Sequence, residues 1–161
     1  MEKKAILALG GNLGEPQKTF HEALKRLNLR AVFQTLKLSS IYTSRPLIKG
    51  QPDYLNMALL AQTRLTAEEL LNELKVCERE FGREHTGIWQ PRTLDIDIID
   101  FNGEAINSPK LTIPHKEMEK RSFVIIPLLE ILPEYIHPVS GKKITQLKME
   151  LQDDLDISVF I

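Results

Sequence analysis

Residues 88–101 read IWQPRTLDIDIIDF, and the architecture turns on how their second half is read. Leu94 to Phe101 carries strand-forming residues, with Ile96, Ile98 and Ile99 set among Asp95 and Asp97. Successive side chains of a strand point to opposite faces. Ile96 and Ile98 therefore go to a core, while Asp95 and Asp97 project together, about 7 Å apart along the chain. Two carboxylates at that spacing repel by roughly 2 kcal/mol at an effective dielectric of about 20. A divalent cation reverses that sign, and Mg²⁺ is typically held by one or two carboxylates plus substrate phosphates. The competing readings are two solvated acids near a strand end, or partners for arginines.

Working outward, Thr66 starts a helix with Glu69 three residues on, a capping box. Leu70, Leu74, Cys77 and Phe81 form its apolar stripe, and Gly82 is placed to end it. Tyr54 to Thr63 alternates as a strand: Leu55, Met57, Leu59 and Ala61 share one face, Tyr54, Asn56 and Ala58 the other. Val32 to Tyr42 reads as another strand. Near the start, Ala5 to Leu9 forms a short buried strand, Gly10, Gly11 and Gly14 a tight turn, and Pro16 opens a helix with Phe20, Ala23, Leu24 and Leu27 at helical spacing. Past Asn102-Gly103 come a Pro-bounded stretch around Leu111 to His115 and an apolar helix or strand from Phe123 to Ile131. The order βαββαβ predicts an α+β, ferredoxin-like sandwich with a mainly antiparallel sheet, helices on one face and the other face open, followed by extra C-terminal elements.

The 161 residues are expected to form one domain, 1–161. Lys and Arg number 21 against 22 Asp and Glu, which excludes binding of nucleic acid or an anionic membrane through bulk charge. The single cysteine, Cys77, excludes an internal disulfide and a thiolate metal cluster, and reads as a small core residue. The N-terminal apolar stretch is too short for a signal peptide, and no run approaches the ~20 apolar residues of a membrane span. A monomeric enzyme or binding domain of the reducing cytoplasm fits these limits.

Around the acid pair the sequence is basic. Arg83, His85 and Arg92 precede it, and His115, Lys116, Lys120 and Arg121 follow. Acids on a rigid strand with bases on flanking loops make a setting for Mg²⁺ and a polyphosphate. Each base alone also reads as a solvated surface charge. Trp89 anchors its loop to the core or closes over a flat ligand. Tyr54 and Asn56, on one strand face, suit a planar heterocycle through stacking and edge hydrogen bonds; an edge tyrosine and a turn asparagine are the plainer alternative. GGNLGEPQK at 10–18 matches neither G-x-x-x-x-G-K-[ST] nor G-x-G-x-x-G, so any ATP is held by side chains and metal.

Five blocks in order, LALGGNLGEP, SSIYTSRPL, QPDYLNMAL, WQPRTLDIDIIDF and LTIPHKEMEKRSFVIIPLLEI, resemble the 6-hydroxymethyl-7,8-dihydropterin pyrophosphokinases of folate biosynthesis over nearly the whole chain. The resemblance implies the same fold and a reaction in which ATP gives its β,γ-diphosphate to the pterin's hydroxymethyl oxygen and leaves as AMP. By position it implies that Asp95 and Asp97 bind two Mg²⁺ ions. Arg83 and Arg92 would contact the phosphates. His115 and Arg121 would hold the phosphate tail, with Lys110 and Thr112 nearby, and Leu71 and Ile98 would line the adenine pocket. Tyr54 and Phe123 would sandwich the pterin, Asn56 would read its edge, Ser44 and Leu47 would complete the pocket through backbone groups, and Trp89 would seal it. Glu78 matches an acidic residue near the site. Gly11, Arg45 and Gln90 depart from the expected serine, proline and glycine, and the 82–89 loop is slightly shorter.

The loops at 10–14, 47–52 and 83–91 are expected to close over the substrates and exclude water. Two rival readings remain. Another Mg²⁺-dependent nucleotidyl- or phosphotransferase on this fold would use the same acids, and a nucleotidyltransferase would release pyrophosphate rather than AMP. A non-catalytic ligand-sensing module would bind without consuming ATP.

Overall fold

The computed structural model describes residues 1–82 and 93–160. Eight strands are described: β1 (Lys3–Gly11), β2 (Gln34–Leu38), β3 (Tyr42–Ser44), β4 (Tyr54–Thr63), β5 (Asp95–Phe101), β6 (Ile106–Asn107), β7 (Thr112–Ile113) and β8 (Ser158–Val159). Four α-helices join them: α1 (Pro16–Leu29), α2 (Ala67–Glu80), α3 (Ser122–Ile131) and α4 (Ile144–Met149). The main sheet runs β5-β1-β4-β3-β8, with β2 also on β4, and every pairing is antiparallel. With β2 and β3 counted as one position, this is the ferredoxin-like order expected from the sequence.

The stretch read as one strand from Val32 to Tyr42 is two. β2 pairs with Leu59–Gln62 and β3 with Tyr54–Asn56. Between them Ser39 turns the chain and keeps the ladder satisfied: its N–H donates to the Ala58 carbonyl at 2.9 Å, and its Oγ accepts the Ala58 N–H at 2.9 Å. A serine hydroxyl competes with the backbone for local hydrogen bonds, which makes it suited to such a bend.

Period-two alternation sorts the sheet into two faces. Leu7, Leu9, Leu59, Ile96 and Ile98 meet the apolar stripes of α1 and α2, namely Phe20, Ala23, Leu24 and Leu27 with Leu70, Leu74 and Cys77. Proline at the start of α1 loses no helical hydrogen bond, because the first turn's N–H groups have no partner within the helix. Thr66 and Glu69 form the expected capping box on α2, worth about 1 kcal/mol.

The other face is not wholly open. Ile6, Ala58, Leu60 and Ile99 pack against Val124, Ile125, Leu128 and Ile131 of α3 and Ile144 and Leu147 of α4. The segment from Phe123 to Ile131 is therefore a helix that begins at Ser122. Its near-uniform apolarity reflects burial, which hides the period that separates helix from strand. At the end of the sheet where β1, β4 and β5 carry Gly10, Asn56 and Asp95, a cavity opens beside the start of α3. That end is the site. Among the described residues, no helix is long and apolar enough to cross a membrane.

Candidate active site

The register of three strands builds the floor of a trough. Asn56 of β4, Gly10 of β1 and Asp95 of β5 lie in one cross-strand row; Ala58, Ala8 and Asp97 lie in the next. The central strand thus contributes only small residues, while the outer two contribute an amide and two carboxylates. With strands about 4.8 Å apart, Asn56 and Asp95 stand on backbones about 10 Å apart. The turn expected at Gly10 and Gly11 is in fact the end of β1, which runs through Gly11. A Cβ at Gly10 would lie 3.3 Å from Asn56 Oδ1, a tight contact that the amide would have to yield to. Above the floor is a cavity of about 430 Å³.

Asp95 and Asp97 are half-buried on one face of β5, as the alternation predicts, with Ile96 and Ile98 buried on the other. The third acid, Asp100, is excluded from this pair: it accepts the Tyr135 hydroxyl at 2.7 Å and the Gly103 N–H at 2.9 Å. His115 Nε2 lies 3.8 Å from Asp97 Oδ2. The imidazole Nδ1 accepts the Glu117 N–H at 3.2 Å, so in the neutral ring Nε2 carries the proton and faces the acids. Burial lowers the His115 pKa, the Arg121 charge lowers it further, and Asp95 opposes both. Arg121 spreads its guanidinium 5.5 Å from the centre of the Phe123 ring, which keeps a positive charge at the cavity wall on an apolar support.

At the other end Asn56 is buried and donates from Nδ2 to Ser44 Oγ at 2.8 Å, which sets the orientation of its amide. The Ser44 side chain is thereby engaged with Asn56, at a position where the resemblance implied backbone groups toward the ligand. Tyr54 and Phe123 line the same cavity. The loop at 47–52 supplies Leu47, Ile48 and Gln51, and Asn12 ties it to the β1 end through Gln51 Oε1 at 3.3 Å and the Pro52 carbonyl at 3.2 Å.

Eleven of the expected residues therefore come together at one cavity: Ser44, Leu47, Tyr54, Asn56, Leu71, Glu78, Asp95, Asp97, His115, Arg121 and Phe123. Ile98 does not. Its side chain is in the core beneath the helices, because it sits on the face opposite Asp97. Lys110, on the β6–β7 turn, and Thr112, in β7, are exposed and do not line this cavity. Arg83, Trp89 and Arg92, with the 83–91 loop, lie outside the described residues.

Several lining residues escaped sequence reasoning. Lys75 lines the cavity from α2, between Leu71 and Glu78. The 71, 75, 78 spacing is a helical face, and would have flagged Lys75 once Leu71 was placed. Ala8 carries no polar group to betray it. Arg45 and Leu155 line the cavity through a contact distant in sequence.

The donor set fits a hard cation. Among the described residues no group of three His, Cys, Asp or Glu side chains could close a metal cage. Two carboxylates at the mouth of a cavity instead leave most of the coordination sphere to ligand oxygens and water, as Mg²⁺ sites in phosphoryl-transfer enzymes do.

Fold and site together define a ferredoxin-like sandwich with an acidic pair at one end of an open trough and an aromatic-amide pocket at the other. The chain belongs to the 7,8-dihydro-6-hydroxymethylpterin-pyrophosphokinase (HPPK) family, whose model matches residues 6–133. It is 41% identical to a Synechocystis 2-amino-4-hydroxy-6-hydroxymethyldihydropteridine pyrophosphokinase over 143 residues, 89% of this chain and 73% of the relative. It is also 41% identical to the Haemophilus influenzae protein of that name over 150 residues, 92% of this chain and 93% of the relative. The Plasmodium falciparum HPPK-DHPS structure with pteroate superposes with a TM-score of 0.72 at 15% identity, over 93% of this chain and 42% of that one; this likeness is one of fold.

Proposed function

We propose that this chain transfers the terminal diphosphate of ATP to the hydroxymethyl oxygen of 6-hydroxymethyl-7,8-dihydropterin and releases AMP, with Asp95 and Asp97 holding two Mg²⁺ ions. The observation that carries the reading is the row Asn56–Gly10–Asp95. It sets a heterocycle-reading amide and an acidic pair on the two banks of one trough, with nothing larger than glycine or alanine between. A flat bicyclic ring lying over Gly10 and Ala8 between Tyr54 and Phe123 would present its hydroxymethyl arm toward the carboxylates.

When bound, Mg²⁺ supplies neutralisation of the charge on the transferring phosphates. The protein's own part is positioning. His115 Nε2–H and Arg121 face the phosphate tail, and Arg121 leans on Phe123, one wall of the acceptor pocket. Arg83 and Arg92 would add positive charge toward the same phosphates. Among the described residues no protein nucleophile is needed by this arrangement, since orientation and electrostatic stabilisation supply most of the acceleration in such transfers. Closing the loops at 10–14 and 47–52 keeps water from competing as acceptor. A monomer in the reducing cytoplasm suits a chain whose one thiol is buried and free.

Incubation with ATP, Mg²⁺ and the pterin alcohol tests the reading. AMP and a diphosphorylated pterin are expected in equal amounts. Pyrophosphate with a nucleotidylated pterin would make the enzyme a nucleotidyltransferase, and unconsumed ATP would make the chain a binding module.

A further inference from the structure

We infer that the C-terminal segment 151–160 is a wall of the acceptor pocket, in which Leu155 is a specificity-determining residue and Arg45 is its positioning residue. The inference rests on the pterin reading of that end of the cavity.

Leu155 is half-buried and lines the same cavity as Ser44, Tyr54, Asn56 and Phe123. It is held from both sides. On one bank, the Arg45 N–H donates to the Leu155 carbonyl at 2.8 Å. The Arg45 guanidinium straddles it, meeting Asp154 Oδ2 at 3.3 Å and Asp156 Oδ2 at 3.2 Å, and also reaches the Asp154 carbonyl. On the other bank, Asp153 Oδ2 accepts the Ser122 N–H at 2.8 Å, at the start of α3 and one residue from Phe123. Beyond Leu155 the backbone takes a left-handed turn at Asp156, with φ 49°, and enters β8. That strand then pairs with Tyr42 and Thr43, and the Phe160 N–H donates to the Ile41 carbonyl at 2.8 Å.

The segment therefore bridges the residues next to Ser44 and next to Phe123, the two flanks of the pocket, and sets one apolar side chain between them. Exposed ion pairs are individually weak. Here the guanidinium brackets a residue whose carbonyl is already bonded to the same arginine's backbone, so the contacts restrain one geometry together. Charge supports the assignment. Asp153, Asp154 and Asp156 against the single charge of Arg45 leave this segment net acidic, compatible with a neutral ring. His115 and Arg121 mark the end that favours phosphate.

The test is steady-state kinetics of the 161-residue chain, varying ATP and the pterin alcohol separately. Leu155→Ala is expected to raise the KM for the pterin about tenfold, the loss typical of a truncated apolar contact, while the KM for ATP stays unchanged. Arg45→Ala is expected to shift the pterin KM in the same direction, and Leu155→Met to restore it. The side chain is half-buried, so these variants fold; melting temperature checks this. A folded, active Leu155→Ala with unchanged pterin KM overturns the inference, as does an equal rise in both KM values. Wild-type chain that makes no AMP overturns the pterin reading itself, which is a different result.

Discussion

The Ile96 backbone N–H donates to Glu78 Oε1 at 3.3 Å, so a carboxylate on α2 grips the strand at the residue between Asp95 and Asp97. Glu78 is buried, with 3% of its surface exposed. A buried acid is costly unless it is hydrogen-bonded, and this one contributes by setting where the acid pair stands relative to the helix.

Glu78→Ala leaves the Ile96 N–H buried without that acceptor, which costs about 1–3 kcal/mol. Chemical denaturation should show that loss, and turnover should fall with it. Glu78→Gln keeps an acceptor and should recover most of the stability. If alanine and glutamine variants were equally stable, the hydrogen bond would not be the reason for the buried acid.

Asp97→Ala removes a group with 34% of its side chain exposed, so the fold should persist. Turnover should drop by roughly a hundredfold or more, the scale on which electrostatic groups at a reacting centre act. Calorimetric titration with Mg²⁺ and a non-hydrolysable ATP analogue should show weakened metal binding. Wild-type turnover and metal dependence in this variant would remove the acid pair from the mechanism.

Gly10→Ala places a methyl group 3.3 Å from Asn56 Oδ1. The amide is held by its bond to Ser44 and has little room to yield. The pterin KM should rise by about an order of magnitude, a modest change in pocket shape having that worth. ATP affinity, measured by fluorescence titration, should hardly change. A larger effect on ATP than on pterin would contradict the placement of Asn56 in the acceptor pocket.

Cys77 is fully buried, and burial pushes its thiol up to about 11, with Glu80 adding to the shift. At neutral pH almost no thiolate exists to react. Iodoacetamide should leave the native protein unmodified and label it stoichiometrically once unfolded. Because the folded pKa lies above the ordinary thiol value near 8.5, this group's contribution to stability is complete below about pH 8.5 and is lost as pH climbs toward 11. Rapid labelling of native protein at pH 7 would contradict the burial.

Much of this was legible in the residues because it is local. Alternation alone placed Asp95 and Asp97 on one face of β5 and Leu55, Met57 and Leu59 on one face of β4, and the Thr66–Glu69 pair marked the start of α2. The same rule puts the Ile98 side chain in the core. The two-strand division at Ser39 was hidden, because its signal is a hydrogen bond to Ala58, nineteen residues away. The helical state of α3 was hidden because its residues are apolar nearly all round, which erases the period.

What the chain determines by itself is which way each side chain points within its own element, because φ and ψ are local and period is a local property. What only the tertiary structure decides is which side chains face each other across elements. Gly10 stands between Asn56 and Asp95 because of strand register. Lys75 and Glu78 reach the cavity because α2 crosses β5. Leu155 enters it because Arg45 and Ser122 pull a distant segment across. Such pairings depend on burial and hydrogen bonding between parts of the chain far apart in sequence, and no short window of residues contains both partners.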